Sequence, residues 1–284
     1  MTNLPINNEL QEEIHTTFDS IKQYRGEPNQ ELDQYYVTQE SSLQRACLLE
    51  PEQYNGKRII LLGDMDLTSL CIGLLSKPKD LAVLDIDKRL PEIVFKMKFD
   101  YKIRSIRFIN HDYRLRTIAI LKNQFDYIFV EPPMTENGLE LGLSRAVQCA
   151  KKDQSSRIFL SFDFMEEKSG YTESMIHKMK LKILEEKKDF NQYEHQTPFS
   201  RKTSNMYILQ VNADSEETIS HHYLGPTYFR ESGNYPYHYE CKCGNILQVG
   251  EGGDFATVED LQKEGCPKCQ YNDKFLYNSS IKIE

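Results

Sequence analysis

The chain has 284 residues, of which 39% are hydrophobic and 27% charged, a composition typical of a globular protein with one main domain and small additions. Its net charge of -8 at pH 7 argues against nucleic acid as the main partner, because phosphate binding relies on clustered Lys and Arg side chains. The sequence has no apolar run of about 20 residues and no secretory signal pattern, so we expect a cytoplasmic protein with no membrane partner.

Residues 1–55 are predicted to form a helical N-terminal extension. The segment from Glu9 to His15 opens a short amphipathic pattern. Thr38 is predicted to be the N-cap of a second helix, because apolar positions at Leu43 and Ala46 follow it at helical spacing.

Residues 56–211 alternate between strand-like and helix-like segments. The predicted strands are Arg58–Leu62, Leu81–Leu84, Ser105–Ile109, Tyr127–Val130, Arg157–Phe162 and Asn205–Val211, and the helices between them include Leu67–Leu75, Leu139–Ala150 and Thr172–Glu186. Several strands are continuous apolar runs, as a sheet buried on both faces requires. Strands spaced by helices in this way indicate repeated βαβ units, so the fold class is α/β with a Rossmann-like, doubly wound parallel sheet.

The last part of this domain is predicted to differ from the βαβ pattern. Residues 190–211 could close the sheet as an antiparallel hairpin. Residues 212–236 are predicted to be a linker, since Gly225-Pro226 and Tyr235-Pro236 break regular structure there.

Acidic residues follow successive predicted strands at the point where each strand ends. After the first strand, Gly63 turns the chain and two carboxylates take the place of a glycine-rich loop. Because the carboxyl ends of parallel strands line one crevice, we expect these side chains to form a ligand site. A single such Asp is usually a helix cap or a turn residue, but a series after successive strands favours a site. The residues are Asp64 and Asp66, Asp85 and Asp87, Asp112, and Glu131.

The acidic positions fit a nucleoside that carries no phosphate. Asp85 is placed to accept both ribose hydroxyls, better than Asp87, and Asp112 could accept from an adenine amino group. The sequence has neither a Gly-x-Gly-x-x-Gly motif nor a Lys-Ser/Thr phosphate loop, which speaks against NAD and ATP. The expected ligand is therefore S-adenosylmethionine or a relative, bound by Gly63, Asp64, Asp85 and Asp112.

Glu131 is followed directly by Pro132 and Pro133. Two prolines after a buried strand fix the backbone and direct the preceding side chain into the crevice. Glu131 could there act as a general base toward an attacking amine, an effect typically worth about 10²–10⁴-fold. The alternative is a rigid turn with a solvated Glu.

The turn from Gly63 to Asp66, the stretch with Asp85 and Asp87, and Glu131 with its two prolines resemble segments of the branched-chain polyamine synthases, the N4-bis(aminopropyl)spermidine synthase family. The upstream stretch around Asp33-Gln34 and Thr38 resembles the same family. The resemblance covers roughly residues 31–211 and implies a class I methyltransferase-type domain that transfers aminopropyl groups from decarboxylated S-adenosylmethionine to spermidine. It implies that Asp64 and Asp66 bind the donor's aminopropyl amine or the acceptor, and that Glu131 is the catalytic acidic residue.

The chain departs from the family pattern at two positions. Met65 replaces the middle aspartate of a Gly-Asp-Asp-Asp-Leu loop, and Glu131 replaces the aspartate before Pro-Pro. Family members also begin with a winged-helix domain, for which the residues before Asp33 leave little room. These differences bear on the identity of the acceptor more than on the transfer chemistry.

The charge of the first loop supports the choice of donor independently. Asp64 and Asp66 would repel the carboxylate of intact S-adenosylmethionine, since like charges about 4 Å apart cost roughly 4 kcal/mol at an effective dielectric of 20. Decarboxylation removes this repulsion and leaves a cation that can pair with the loop.

Four cysteines near the C-terminus form two close pairs. Such a cluster suggests a metal before a disulfide in a cytosolic chain, and four thiolates at tight turns with neighbouring glycines predict a structural zinc ribbon over residues 237–284. A short strand at Ile246–Val249 and a helical turn at Val258–Lys263 are expected between the pairs. The ligands are Cys241, Cys243, Cys266 and Cys269.

Two other functions compete with aminopropyl transfer. The first is an S-adenosylmethionine-dependent N-methyltransferase, which would have to accommodate the donor carboxylate beside the acidic loop. The second is a non-enzymatic binding protein in which the ribbon engages a partner. The sequence leaves the oligomer open, and a homodimer is one assembly that it permits.

Overall fold

Eight α-helices and ten strands occur in the part of the chain that the computed structural model describes, residues 6–162, 170–195, 202–228, 237–250, 253–256, 258–273 and 275–277. The helices are α1 (Asn8–Lys22), α2 (Gln39–Ala46), α3 (Pro51–Tyr54), α4 (Thr68–Leu75), α5 (Leu90–Phe99), α6 (Glu136–Cys149), α7 (Tyr171–Lys178) and α8 (Val258–Glu264). The strands are β1 (Arg58–Leu62), β2 (Asp80–Asp85), β3 (Ile106–Asn110), β4 (Tyr127–Val130), β5 (Arg157–Phe162), β6 (Lys182–Gln192), β7 (Thr203–Gln210), β8 (Tyr237–Glu240), β9 (Ile246–Val249) and β10 (Leu276–Tyr277).

Seven strands form one sheet in the order β3-β2-β1-β4-β5-β7-β6. The five strands from β3 to β5 in this order are parallel to one another, and β7 is antiparallel to both β5 and β6. This confirms the predicted fold class, a doubly wound α/β sheet of the class I methyltransferase type. The predicted bounds of β1, β4 and β5 are those observed.

The parallel strands are buried on both faces of the sheet, because the helices that connect parallel strands cover both sides. In β1, Ile59 and Leu61 contribute to one hydrophobic core, while Ile60 and Leu62 contribute to a second core on the opposite face. Helices α4 and α5 cover the first face, and α6 and α7 cover the second. The carboxyl ends of β1, β2 and β4 therefore remain open to a ligand between the two helical layers.

The helix predicted over Thr172–Glu186 is wrong in its second half. Helix α7 ends at Lys178, Lys180 has a left-handed φ of 56°, and the chain then enters β6 at Lys182. This segment is rich in Lys and Glu, which favour helices, but it forms the eleven-residue strand β6 that pairs with β7 instead, so tertiary pairing overrides local propensity. The antiparallel hairpin predicted within 190–211 is confirmed, and its first strand starts earlier than expected.

The N-terminal helices form as expected. Thr38 caps α2, and its side chain accepts a hydrogen bond from the Ser41 backbone N–H at 3.3 Å. Ser41, Ser42 and Arg45 of α2 are buried together with its apolar residues. Because α2 packs on the main domain through nearly its whole surface, even its polar side chains lie inside the protein.

Residues 212–228 of the predicted linker contain no helix or strand and lie against α6. Arg145 donates to the backbone carbonyls of Ile219 and His221, at 2.8 and 2.7 Å, and Thr135 donates to the carbonyl of Thr227 at 2.7 Å. Residues 229–236 lie outside the described residues. The domain boundaries given above stay a prediction.

The C-terminal segment forms a second, three-stranded sheet in the order β10-β8-β9. Strand β9 and helix α8 confirm the two elements expected between the cysteine pairs. A separate hydrophobic cluster that includes Tyr239, Leu247 and Leu261 forms its core. In the described parts of the chain, no helix has both the length and the apolar character that a membrane span requires.

Candidate active site

A pocket opens at the carboxyl ends of β1, β2 and β4. It is lined by all the residues predicted for the catalytic and nucleoside sites, by residues of the N-terminal extension and by Tyr228. The structure therefore brings together six positions that are separated by up to 68 residues along the chain. These are Gly63, Asp64, Asp66, Asp85, Asp112 and Glu131.

The turn after β1 is held by its glycine and by Asp64. Gly63 has a φ of +86°, which side-chain-bearing residues rarely adopt, and its N–H donates to the Leu84 carbonyl at 2.9 Å. The Asp64 carboxylate accepts hydrogen bonds from the backbone N–H of Ser69, at 3.2 Å, and from the Ser69 hydroxyl. Burial raises the pKa of Asp64 to about 8, so a bound cation would favour its ionised form.

Asp66 and Glu131 are joined by Arg45, a residue that sequence reasoning missed. Arg45 Nη1 lies 2.8 Å from Asp66 Oδ2, and Nη2 lies 2.6 Å from Glu131 Oε2. The Arg45 side chain is 6% exposed, whereas Glu131 keeps 25% of its side chain exposed to the pocket. Asp66, one of the two carboxylates expected to bind a ligand amine, and Glu131, the expected base, are thus already bridged by a cation of the protein.

The other oxygen of each carboxylate also has a partner. Asp66 Oδ1 accepts from the Val37 backbone N–H at 2.8 Å, and Glu131 Oε1 accepts from the Tyr193 hydroxyl at 2.5 Å. Neither side chain can turn without breaking a hydrogen bond. Their orientation is therefore fixed by the N-terminal extension and by the segment after β6.

Burial raises the pKa of Glu131 to about 7, against the opposing effect of the Arg45 guanidinium. The nearby Asp66 charge raises it further. A carboxyl whose pKa lies near neutrality is suited to general-base catalysis.

Asp85 and Asp87 differ in position, in line with the preference for Asp85. Asp85 lines the pocket, and its Oδ1 accepts from the Asp87 backbone N–H at 2.9 Å. The Asp87 carboxylate is instead bound by Arg89 at 2.6 Å and by Gln34 Nε2 at 2.8 Å. Asp87 thereby ties the N-terminal extension to the loop after β2.

Asp112 lines the pocket together with two tyrosines. Its carboxylate accepts from the Arg114 backbone N–H at 2.9 Å and pairs with the Arg114 guanidinium at 2.8 Å. Tyr113 and Tyr228 line the same pocket, and the Arg114 guanidinium carbon lies 5.4 Å from the Tyr228 ring centre. Aromatic faces beside a carboxylate can hold a planar base, but the role of Asp112 toward adenine stays a prediction.

Little in the sequence could have identified the partners of Glu131. The position of Arg45 in the sequence gave one indication of its role. It lies in a helix among apolar residues that are buried, and a buried charged side chain needs a partner of opposite charge. Tyr193 lies next to the hairpin strand, and nothing in its neighbourhood points to β4. These contacts join residues 86 and 62 positions apart in sequence.

The four predicted metal ligands lie together in the C-terminal segment. All four Sγ atoms are within 4.8 Å of one another, with Cys241–Cys269 at 3.5 Å and Cys243–Cys266 at 3.8 Å. Around a tetrahedral zinc with Zn–S bonds of about 2.3 Å, sulfur atoms lie about 3.8 Å apart. The cluster therefore has the dimensions of a four-thiolate zinc site.

Comparison with protein families gives one match over most of the chain. Residues 13–229 match the model of the branched-chain polyamine synthase A C-terminal domain. An uncharacterized protein of Methanocaldococcus jannaschii is 33% identical over 238 residues, which are 81% of this chain and 57% of that protein. The N(4)-bis(aminopropyl)spermidine synthase of Thermococcus kodakarensis is 31% identical over 140 residues, 49% of this chain and 40% of that enzyme. The matches thus span about half the length of these relatives.

Among solved structures, the branched-chain polyamine synthase of Thermus thermophilus, in complex with N4-aminopropylspermidine and 5'-methylthioadenosine, has a similar fold. The TM-score is 0.67 at 22% sequence identity, over 77% of this chain and 69% of that one. At this identity the likeness concerns the fold alone.

Proposed function

Because this chain belongs to the branched-chain polyamine synthase A C-terminal domain family, we propose that it is an aminopropyltransferase. It moves an aminopropyl group from decarboxylated S-adenosylmethionine to an amine of a polyamine such as spermidine, and it releases methylthioadenosine. The Thermococcus kodakarensis relative carries the name of such a synthase, and the Thermus thermophilus structure contains methylthioadenosine and an aminopropylated spermidine.

The observation that carries this proposal is the charge of the pocket. Of the described residues that line it, six are carboxylates and one, Arg45, is a guanidinium. Such a pocket attracts a sulfonium bearing an ammonium group and a polycationic acceptor. The carboxylate of intact S-adenosylmethionine would meet this excess of acidic groups, and two like charges about 4 Å apart cost roughly 4 kcal/mol at an effective dielectric of 20. The carboxylates are Asp33, Asp64, Asp66, Asp85, Asp112 and Glu131.

In the transfer, the lone pair of a neutral acceptor amine attacks the aminopropyl carbon bound to sulfur. The new N–C bond forms as the C–S bond breaks, and its electron pair neutralises the sulfonium to the thioether of methylthioadenosine. Glu131 accepts the proton that the nitrogen loses. Asp64 and Asp66 hold the donor's ammonium or the acceptor, Asp85 accepts from the ribose hydroxyls, and Asp112 accepts from the adenine amino group.

The test supplies spermidine with either decarboxylated or intact S-adenosylmethionine and identifies the products by mass spectrometry. We expect one or two aminopropyl additions, with methylthioadenosine released only from the decarboxylated donor. Methylation by the intact donor would instead establish the N-methyltransferase alternative, and no product with either donor, across a panel of polyamines, would contradict transfer.

The Glu131→Gln variant tests the assignment of the base. We expect its kcat to fall by about 10²–10⁴-fold, because the amide cannot accept the proton, while binding of methylthioadenosine is kept. Glu140→Gln is the matched control, since Glu140 is a partly buried glutamate on α6 that pairs with Lys178 outside the pocket. Equal activity of the two variants would remove Glu131 from the mechanism.

We also propose that Cys241, Cys243, Cys266 and Cys269 hold a structural zinc ion. Support comes from the sulfur spacing and from the small core that surrounds the cluster. Four thiolates complete a tetrahedral shell, which leaves no position for a substrate, so the zinc would stabilise the C-terminal segment rather than take part in catalysis.

A further inference from the structure

The Arg45 guanidinium is the centre of a buried polar network that links four parts of the chain. Besides its two contacts with Asp66 and Glu131, its Nε donates to Asn191 Oδ1 of β6 at 2.7 Å. Asn191 Nδ2 in turn donates to the Ser204 hydroxyl of β7 at 3.0 Å, and that hydroxyl lies 2.9 Å from the Tyr193 hydroxyl. Each of the three guanidinium nitrogens therefore hydrogen bonds to a different part of the fold.

This arrangement fixes the two acidic side chains relative to each other. A guanidinium is planar and presents its N–H groups in a rigid fork, so one nitrogen on each carboxylate sets their separation and orientation. The formal charge of the three groups is one negative, rather than the two that the carboxylates alone would carry. A polyamine would thus meet a single net negative charge at this end of the pocket.

We propose that Arg45 is a positioning residue of the transfer centre: it holds the Glu131 and Asp66 carboxylates in a fixed relation and directs Glu131 at the acceptor amine. This inference rests on the proposed function. The groups that face Glu131 are Arg45 from α2, Asp66 from the turn after β1 and Tyr193 from the segment after β6.

The effect of Arg45 on Glu131 has a defined sign. Burial raises the pKa of Glu131, the Asp66 charge raises it further, and the guanidinium lowers it. An opposite charge within about 4–6 Å typically lowers a carboxyl pKa by about one to three units, so removing Arg45 raises the pKa of Glu131 by a similar amount. A base with a higher pKa is protonated, and inactive, over a wider range of pH.

The experiment compares Arg45→Gln and Arg45→Lys with the wild type through the pH profile of kcat/KM. For Arg45→Gln we expect the acidic limb to move to higher pH by about one to three units. We expect kcat at the optimum to fall by about 10²-fold, because the base is no longer held in place. Arg45→Lys keeps the charge but cannot span both carboxylates, so we expect its acidic limb near that of the wild type and its kcat reduced.

The matched control is Arg145→Gln. Arg145 is 2% exposed and donates to the backbone carbonyls of Tyr113, Ile219 and His221, so its loss affects packing but leaves the contact between Arg45 and Glu131 in place. Its acidic limb should stay in place. If Arg45→Gln folds and the acidic limb of its kcat/KM profile lies at the same pH as that of the wild type, the proposal is overturned. If that variant does not fold, a wild-type kcat in Arg45→Lys would overturn it, and a reduced kcat with an unmoved limb would support it.

A second readout separates this inference from the proposed function. The ionisation of Glu131 can be followed by ¹³C NMR of labelled glutamate carboxyls, with the resonance assigned by its absence in Glu131→Gln. We expect a higher midpoint in Arg45→Gln than in the wild type, whether or not any amine is aminopropylated. Equal midpoints would refute the role of Arg45, whereas a wild type that transfers nothing would refute only the function.

Discussion

At the scale of single residues, the pocket owes its chemistry to carboxyl groups in unlike environments. The Asp64 carboxylate is buried and accepts hydrogen bonds from Ser69, whereas the carboxylates of Asp66 and Glu131 share a guanidinium. Burial raises the pKa of both Asp64 and Glu131, and the Arg45 guanidinium opposes that rise at Glu131. These unlike surroundings suit Asp64 to respond to a bound cation and Glu131 to serve as the proposed base.

Asp64 should make the protein less stable as the pH rises. Its pKa of about 8 in the folded state lies above the value of 3.8 for an unperturbed Asp, so the stability it contributes is complete below pH 3.8 and is lost as the pH rises through 8. Asn at this position can accept from the Ser69 backbone N–H through Oδ1 and donate to the Ser69 hydroxyl through Nδ2, and it does not ionise. We therefore expect the free energy of unfolding of Asp64→Asn, relative to the wild type, to increase between about pH 4 and pH 8, by urea denaturation.

Asp80→Asn is a control of opposite sign. Against the cost of burial, hydrogen bonds and charges from Arg107 and Arg58 lower the pKa of Asp80, so its contribution is present above the unfolded pKa and is lost as the pH falls. The Asp80→Asn variant should lose stability relative to the wild type above pH 4, and less so in acid. If the difference in the free energy of unfolding between Asp64→Asn and the wild type does not change with pH, the raised pKa of Asp64 is contradicted.

At the scale of elements, close contacts between secondary structures place Glu131. Helix α6 lies directly against the Pro132 turn, and a Cβ at Gly142 would come 2.7 Å from Pro132 Cβ. The absence of a side chain at Gly142 thus lets the helix approach the turn that carries the catalytic candidate. Helix α2 is likewise packed against the main domain, and it places Arg45 in contact with Glu131.

We expect Gly142→Ala to destabilise the protein by about 1–3 kcal/mol, because the added methyl overpacks the contact with Pro132. In a helix without such a contact, Gly to Ala stabilises by about 1 kcal/mol, so the sign of the change is itself diagnostic. Thermal unfolding measures it, and kcat should fall as the Pro132 turn shifts. A more stable variant would show that α6 can move away from the turn at no cost.

At the scale of the whole molecule, the pocket and the cysteine cluster draw on separate parts of the sequence. The pocket-lining residues lie between Leu32 and Tyr228, and the cluster lies between Cys241 and Cys269. Each part has its own hydrophobic core. The small C-terminal core is of the size that commonly requires a metal to fold.

Removal of one thiolate should therefore affect the C-terminal segment selectively. We expect elemental analysis to find one zinc per chain in the wild type and none in Cys266→Ser, and we expect this variant to keep its affinity for methylthioadenosine. Cys149→Ser is the matched control, because Cys149 is a buried thiol on α6 outside the cluster, and it should keep its zinc. Full zinc content in Cys266→Ser would contradict the proposed site.

The sequence by itself determined the local features of this protein. Continuous apolar runs identified the parallel strands, and the acidic residues after them, except Asp87, line one pocket because the carboxyl ends of parallel strands share an edge. Close cysteine pairs likewise identified a cluster whose geometry depends mainly on local turns. Such features follow from the pattern of neighbouring residues and need no knowledge of distant contacts.

Only the tertiary structure decided how the acidic residues are held. Arg45 reaches Glu131 from a helix 86 residues away, and Tyr193 reaches it from 62 residues away on the other side of the sequence. The segment from Lys182 to Gln192 became a strand against its helical composition, because pairing with β7 outweighs local preference. Hydrogen bonds of this kind depend on which elements pack together, and that choice is made by the burial of the whole core rather than by any one segment.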